Sequence, residues 1–169
     1  EPAEGFHLLR TGQVKVYKLS PDGREQILKI FRTGETVGEV VMFAGDNYPA
    51  FCEALQDTET LFFLRIPFLA ILNADPELAT NLVTVLSRRL LHFTRMVGDL
   101  SLRDVPARLS AYIQDHMDNT NVMTLDITKA QLSTLLGTSP ETVSRVLGSL
   151  ADRGVLSVDR RRITVLDPE

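Results

Sequence analysis

Cysteine is almost absent from this chain, since Cys52 is the only one among 169 residues. A lone cysteine excludes an internal disulfide bond and any metal site that needs several cysteines of this chain. Such a sequence suits a reducing compartment, so we expect a cytoplasmic protein. Cys52 itself lies in an apolar run, where we expect a buried strand residue rather than a metal ligand or a redox switch.

Long apolar runs are missing as well. Asn, Asp, Arg or Lys interrupts every apolar stretch before it reaches the roughly 20 residues that a membrane-spanning helix needs, so we expect no membrane partner. No signal peptide is recognisable in the sequence. The chain begins with Glu1 instead of methionine, which leads us to expect a segment before it.

Charge is unevenly distributed along the chain. The net charge of −4 argues against a protein that binds nucleic acid over its whole surface. Between residues 128 and 162, however, six Lys or Arg residues stand against three Asp or Glu residues. A local basic excess of this kind is typical of a specific DNA-binding segment.

Residues 128–153 read as two short helices joined by a sharp turn. Gly137 closes the first helix, because glycine adopts the left-handed conformation without steric cost. Ser139 can cap the second helix, and Pro140 occupies its first turn, where a missing N–H costs nothing. The second helix has a stripe of apolar residues and, opposite it, a polar face that comprises Glu141, Thr142, Ser144 and Arg145. Such a pair is either an ordinary helical hairpin or a helix-turn-helix whose second helix reads the major groove.

Two short β-branched runs follow Gly154 and flank an Asp-Arg-Arg-Arg turn. They predict a β-hairpin with Arg160, Arg161 and Arg162 at its tip. An arginine-rich turn alone is most often a solvated loop. Beside a helix pair with a polar face it favours contact with DNA phosphates, as in the wing of a winged helix-turn-helix.

Short β-runs separated by glycine turns fill residues 7–66. The runs are HLLR, QVKVYKL, REQILKIF and TVGEVVMF, with two more at 50–55 and 60–66. Pro21-Asp22-Gly23 is a hairpin signal, because proline sets the first turn dihedral and glycine supplies the positive one. Strands at this spacing predict a small antiparallel barrel or roll. Their number is low for a closed roll, so we expect further strands before residue 1.

Asp75-Pro76 precedes a helical pattern of about 25 residues, too long for one small domain to cover. Its apolar spacing is close to that of a two-stranded coiled coil. We therefore expect a homodimer along this helix, and a core helix of a single domain is the alternative. The residues predicted to form the dimer interface are Leu82, Val85, Leu86, Phe93 and Val97. Pro106 marks a hinge after the helix.

The order of roll, long helix, hinge and winged helix-turn-helix resembles the CRP/FNR family of bacterial transcription regulators. The resemblance rests on GETVGEVVMF at 34–43, SRRL at 87–90, VGDLSLRDV at 97–105 and LLGTSPETVSRVLGSLADRGVL at 135–156. It implies an α+β fold with an antiparallel β-roll of the cyclic-nucleotide-binding jelly-roll type. The expected domains are the effector-sensing roll at 1–74, the dimerisation helix and hinge at 75–103, and the winged helix-turn-helix at 104–169.

The resemblance also implies a reading code, because the FNR branch has Glu-x-x-Ser-Arg in its recognition helix. This pattern falls on Glu141, Ser144 and Arg145. Arginine can bind guanine O6 and N7 together, glutamate can accept from cytosine N4 or adenine N6, and serine can contact a thymine edge. Pro140 stands where the catabolite-activator branch has a further arginine, which favours a TTGAT-type half-site over TGTGA. The expected phosphate contacts are Lys129, Ser139, Thr142, Arg160, Arg161 and Arg162.

An effector pocket is implied in the roll. Its expected residues are Gly38, Glu39, Tyr48, Pro49, Ala50 and Phe93. Cyclic-AMP binders of the family have an Arg-Ser pair where Tyr48 and Pro49 stand, and without that arginine a buried phosphate lacks its counter-charge. Phe93 also replaces a polar adenine contact, so cyclic AMP is disfavoured.

Two other cofactors occur in the family. An iron–sulfur cluster needs four cysteine ligands, and the strand at 60–64 that should supply one contains none, so this cofactor is also disfavoured. Haem, as in nitric-oxide-sensing branches with similarly apolar pockets, is the leading expectation. Its ligand would be His7 or His92, although a surface or packing role explains each more simply. We expect no other metal site.

Three functions stay open on the sequence alone. The basic excess and the Glu-x-x-Ser-Arg pattern favour an effector-gated DNA-binding regulator, with double-stranded DNA and, for an activator, RNA polymerase as partners. The alternatives are a ligand-binding module that regulates a protein partner, or a regulator gated by another small molecule such as a nucleotide. An enzyme is not expected, because nucleophile elbow, phosphate loop, metal-ligand spacing and matched carboxylates are all missing.

Overall fold

A computed structural model describes residues 3–44 and 47–166 of the chain. It divides into two compact units, residues 1–94 and 95–169. No helix of the described residues is both long enough and apolar enough to cross a membrane.

The first unit is built on two three-stranded antiparallel sheets. One has the order β4-β1-β6, with β1 at Gly5–Thr11, β4 at Thr36–Val37 and β6 at Glu59–Leu64. The other has the order β3-β2-β5, with β2 at Gln13–Leu19, β3 at Glu25–Arg32 and β5 at Phe51–Ala54. Leu9 and Val37 of the first sheet pack with Val14 and Phe31 of the second. The core therefore lies between the sheets, where alternate strand residues point inward.

The run TVGEVVMF was predicted to be one strand, and this prediction is wrong. Only its first two residues are extended, and helix α1 (Glu39–Ala44) follows. Gly38 separates the two elements with a φ of 92°, a conformation that glycine allows and that ends the strand. Val41 and Met42 of α1 are buried. A short apolar run of this kind does not distinguish a strand from a buried helix.

The prediction that Cys52 is a buried strand residue is also wrong. Cys52 does lie in a strand, but within the described part of the chain β5 pairs with β2 alone, and all four of its residues are exposed. Partial desolvation raises the pKa of the Cys52 thiol. The thiol is therefore protonated at neutral pH, which makes it a poor nucleophile.

Two helices follow the sheets, α2 (Arg65–Ala74) and α3 (Pro76–Leu102). The Asp75 carboxylate accepts hydrogen bonds at 3.0 Å from the backbone amides of Glu77 and Leu78. This cap starts α3 where the Asp-Pro pair predicted a helix start. α3 has 27 residues, and none of them is buried within the chain.

The second unit combines three helices with one small sheet. The helices are α4 (Val105–His116), α5 (Lys129–Leu135) and α6 (Pro140–Asp152). The strands β7 (Val122–Thr124), β8 (Leu156–Asp159) and β9 (Arg162–Val165) form an antiparallel sheet in the order β7-β9-β8. Its core contains Leu109 of α4, Leu132 of α5, Leu147 of α6 and Ile163 of β9, all buried.

Candidate DNA-binding interface and effector region

The turn between α5 and α6 is fixed by backbone and side-chain hydrogen bonds. Gly137 has a φ of 61°, and the Thr138 amide donates to the Ser133 carbonyl at 2.9 Å. This is the hydrogen bond of a Schellman helix ending, and it confirms that Gly137 closes the first helix. Ser139 then caps α6, since its hydroxyl accepts from the Thr142 amide at 3.3 Å. Both ends of the turn are thus determined by local sequence.

One face of α6 presents the three residues predicted to read bases. Val143 and Leu147 are buried, and the helix packs against α4, α5 and β8. Glu141, Ser144 and Arg145 are exposed. Residues three and four positions apart are neighbours on a helix, so these side chains lie side by side. The structure therefore brings the predicted set together on a surface that a DNA groove can reach.

Glu141 is ionised on this face. Its own backbone amide and the Ser139 hydroxyl lower the pKa of the Glu141 carboxyl. An ionised carboxylate only accepts hydrogen bonds. This chemistry suits the amino groups at cytosine N4 or adenine N6, and it excludes donation to a base acceptor.

Strands β8 and β9 form the predicted wing hairpin. Asp159 pairs with Arg162, and Arg160 and Arg161 make the two-residue turn between them. Arg160 has a φ of 53°, a conformation that a tight hairpin turn requires at this position. The side chains of the three arginines are exposed. The Leu125 amide donates to the Arg161 carbonyl at 2.7 Å, which ties the wing tip to the segment before α5.

The wing arginines are not equivalent. Hydrogen bonds from the Thr120 side chain and the Val122 amide lower the pKa of Asp118, and the charge of Arg162 adds to them. An arginine with a carboxylate nearby already has part of its charge compensated. Part of the charge of Arg162 is therefore compensated within the protein.

The other residues predicted to contact phosphates stand at helix starts. Lys129 is the first residue of α5 and is exposed, while Ser139 and Thr142 lie at the start of α6. Helix N-termini favour anions because their amides and dipoles point outward. The geometry is thus compatible with phosphate contacts at both helices.

The predicted effector residues around Gly38 are only partly in contact. A Cβ atom at Gly38 would stand 3.0 Å from Tyr48 Cε1, so the two residues touch. The Tyr48 hydroxyl donates to the Gly5 carbonyl at 2.7 Å. Pro49 is exposed and Ala50 is half-buried. Tyr48 therefore places a hydroxyl that is already bonded within the protein at the position where the resemblance puts an arginine in cyclic-AMP binders.

Glu39 is fully buried, and its carboxylate forms an ion pair with Arg89 of α3. Arg89 also donates to the Thr36 carbonyl at 2.5 Å and to the Thr36 hydroxyl at 3.1 Å. Glu39 Oε2 has no hydrogen-bond partner among the described residues. Sequence reasoning missed Arg89, although a signal was present. Arg89 lies on the apolar stripe between Leu86 and Phe93, where a charge requires a buried partner.

A pocket of about 370 Å³ opens beside this ion pair. It is lined by Lys29, Gly34, Glu35, Thr36, Val85, Arg88, Arg89 and His92. None of the six predicted effector residues is among the described residues that line it. Sequence reasoning did not find this pocket, because only the fold brings β3 and the β3–β4 turn next to α3.

An ion pair forms one wall of the pocket. Lys29 Nζ lies 2.7 Å from Glu35 Oε1 and 4.9 Å from the centroid of the Phe31 ring. Burial acts to raise the pKa of Glu35, but hydrogen bonds from Lys29 and the Arg32 amide outweigh it, together with the charges of Lys29 and Arg89. The net result is a lowered pKa, and Glu35 is a stable anion in this wall.

The two histidines considered as haem ligands lie on different elements. His7 on β1 has Nδ1 3.0 Å from Thr60 Oγ1, and its ring centroid is 4.7 Å from that of Phe62. Desolvation lowers the pKa of His7, so its ring is neutral near pH 7. His92 lines the pocket, and its ring centroid is 5.5 Å from that of Phe93. Among residues 3–44 and 47–166, no three His, Cys, Asp or Glu side chains are grouped as metal ligands.

Comparison with known proteins identifies both parts of the chain. Residues 1–75 match the cyclic nucleotide-binding domain, and residues 107–169 match the Crp-like helix-turn-helix domain. The cyclic AMP receptor protein of Thermus thermophilus is 31% identical over 153 residues, which are 90% of this chain and 71% of that protein. The chain belongs to the CRP/FNR family of transcriptional regulators.

Further relatives agree with this assignment. The CRP-like cAMP-activated global transcriptional regulator of Mycobacterium tuberculosis is 26% identical over the whole chain and 79% of its own length. The solved structure of FixK2 from Bradyrhizobium japonicum has a TM-score of 0.85 and 26% identity, and the match covers 99% of this chain and 85% of that one. The protein is therefore a DNA-binding transcriptional regulator with a cyclic-nucleotide-binding-like domain. The α+β fold class implied by the sequence is confirmed.

Proposed function

We propose that this CRP/FNR regulator binds a palindromic TTGAT-type site as a homodimer, gated by an effector in its first unit. It acts in the cytoplasm, with RNA polymerase as a further partner if it is an activator. The observation that carries the proposal is the exposed row of Glu141, Ser144 and Arg145 on α6, in one unit with the wing turn at Arg160 and Arg161.

Each residue of this row has a distinct role in the proposed readout. Arg145 donates to guanine O6 and N7, the ionised Glu141 accepts from an exocyclic amine, and Ser144 contacts a thymine edge. The wing and the helix starts hold phosphates, which fixes the position of α6 but carries no sequence information. Base contacts thus provide specificity, and phosphate contacts provide most of the affinity.

Dimerisation is supported by the surface of α3. Leu90 and Val97 are 68% and 62% exposed, and Val83 and Leu91 are more than half exposed as well. Large apolar side chains in such number are costly to leave in water. Pairing of two α3 helices through these exposed side chains would cover them and give the two-fold axis that a palindrome requires. The predicted interface of Leu82, Val85, Leu86, Phe93 and Val97 shares Val97 with this set, and its Leu82, Leu86 and Phe93 are half-buried.

The effector differs from cyclic AMP in this proposal, although relatives are named for activation by it. Tyr48 bonds to the Gly5 carbonyl and offers no charge to a cyclic phosphate. Haem, the leading candidate from the sequence, is favoured by the position of His92 in the pocket. Five of the eight lining residues are ionisable, which does not suit a flat apolar macrocycle. An absorption spectrum after haem addition, compared with that of His92→Ala, tests this candidate.

The test of the proposed function is DNA binding at several salt concentrations. Three duplexes are compared: a TTGAT palindrome, the same duplex with one half-site scrambled, and a random duplex. We expect tight binding of a dimer to the first, strong weakening on the second, and a steep fall of affinity with salt on all. Equal affinity for the palindrome and the random duplex would remove the proposal. Salt-independent binding to another protein would favour the alternative of a ligand-binding module that regulates a protein partner.

A further inference from the structure

The pocket beside Glu39 and Arg89 keeps a positive charge after its ion pairs have formed. Lys29 is paired with Glu35 at 2.7 Å, and Arg89 is paired with Glu39. Arg88 lines the same pocket. Within residues 3–44 and 47–166, no carboxylate lies at ion-pair distance from Arg88. Arg88 is thus the cation of the pocket that the described residues do not neutralise.

The pocket has room for a small molecule. Arg88 and His92 are four residues apart on α3 and therefore lie on the same side of the helix, with Val85 one turn earlier. Gly34 lies in the opposite wall, and nothing stands within 4 Å of the place where its Cβ would be. The volume of about 370 Å³ is near the lower end of the range for small-molecule pockets, about 300–1,000 Å³.

We infer that this pocket binds a small organic oxyanion, held by Arg88 with His92 beside it. The planar guanidinium of arginine donates two parallel hydrogen bonds to a carboxylate or a phosphate. The His92 ring lines the pocket beside Arg88, and Val85 offers an apolar contact to the carbon skeleton. The chemistry shared by both ligand types is an oxyanion on a compact metabolite.

The inference deepens the proposed function, on which it rests, by naming the chemical class of the effector. It also gives the effector site a new position, because the described lining residues of this pocket lie outside the Gly38–Ala50 segment that the sequence indicated. Val85 belongs both to this pocket and to the predicted dimer interface. A bound anion would therefore touch the helix through which two subunits are proposed to pair.

Calorimetric titration of the full chain tests the inference, with sodium pyrophosphate and sodium citrate as separate probes at constant ionic strength. Sodium chloride is the blank. The variants are Arg88→Gln and His92→Gln, which keep side-chain length or planarity but remove the cation or the ring. Arg95→Gln is the matched control, because Arg95 is an exposed arginine of α3 that is not among the described lining residues.

We expect saturable binding of pyrophosphate, citrate or both, with affinity reduced about tenfold or more in Arg88→Gln and unchanged in Arg95→Gln. Preference for one probe distinguishes a phosphate ligand from a carboxylate ligand. Absence of saturable binding to both probes would overturn the inference, as would wild-type affinity in the two pocket variants. If Arg88→Gln does not fold by circular dichroism, His92→Gln decides.

The same samples are assayed on the TTGAT palindrome with and without the anion that binds. Failure to bind DNA in both conditions, with intact anion binding, removes the proposed function and leaves the pocket assignment standing. Intact DNA binding without anion binding removes the pocket assignment and leaves the proposed function standing.

Discussion

The Glu39 carboxylate and the Arg89 guanidinium lie fifty residues apart in sequence, and their ion pair is taken almost entirely out of water. Loss of one partner leaves a buried charge without compensation, which costs about 3–5 kcal/mol. We expect Arg89→Met to lower the free energy of unfolding by about this amount, measured by urea denaturation. Arg88→Met, an exposed neighbour on the same helix, should change it by about 0.5 kcal/mol or less. If Arg89→Met lowered the free energy of unfolding as little as Arg88→Met does, Glu39 would have another partner.

Arg145→Ala should weaken binding to the TTGAT palindrome by about 1–3 kcal/mol, or roughly 5- to 160-fold, because the proposed bidentate contact with guanine is lost. Discrimination at that one base pair should relax, while affinity for random DNA changes little. Fluorescence anisotropy on duplexes with single substitutions measures both effects. Arg153→Ala, at the opposite end of α6, is the control. Equal weakening on specific and random DNA would assign Arg145 to a phosphate instead.

Arg161→Gln should reduce the slope of log affinity against log salt by about 0.9, because one phosphate contact is removed. The loss should be the same on specific and random duplexes. Arg162→Gln should have a smaller effect, since the charge of Arg162 already acts on Asp118. Salt titrations of both variants measure the slopes. The reverse ranking would mean that the wing approaches DNA from the Arg162 side.

Glu35 makes the stability of the first unit depend on pH. Its pKa in the folded protein is lowered, so its ionised form stabilises the fold above the unfolded pKa of about 4.3. This contribution is lost as the pH falls through the lower folded value. We expect urea midpoints to decline below about pH 4.3 in the wild type and less steeply in Glu35→Gln. Glu59→Gln, an exposed residue of β6, serves as the control and should follow the wild type.

Local signals predicted most of the second unit correctly. The glycine at 137, the cap at Ser139 and the adjacent proline act within a few residues, so the helix pair is encoded where it forms. The same holds for Asp75 at the start of α3. Helical periodicity alone predicted the polar face of α6, because the apolar stripe leaves only one side of the helix for polar residues.

The errors and omissions concern contacts that are remote in sequence. The exposure of Cys52 depends on which face of β5 other residues cover, and apolar spacing does not reveal this. The helix after Gly38 buries Val41 and Met42 against the rest of the unit, and an apolar run of this length fits a strand equally well. The partner of Glu39 and the cation at Arg88 become visible only when α3 lies beside β3 and the following turn. Tertiary packing, rather than local preference, determines each of these features.

The hydrogen bond from the Leu125 amide to the Arg161 carbonyl has a consequence for the shape of the DNA. It joins the wing tip to the segment that leads into α5, so the span between the wing arginines and the α6 face is set by the protein. In the proposed complex, this fixed span matches only some groove spacings of the duplex. DNA that already has the matching groove width, or that bends to it at low cost, is favoured at positions that no side chain touches. Base pairs flanking the half-site should therefore affect affinity through their stiffness.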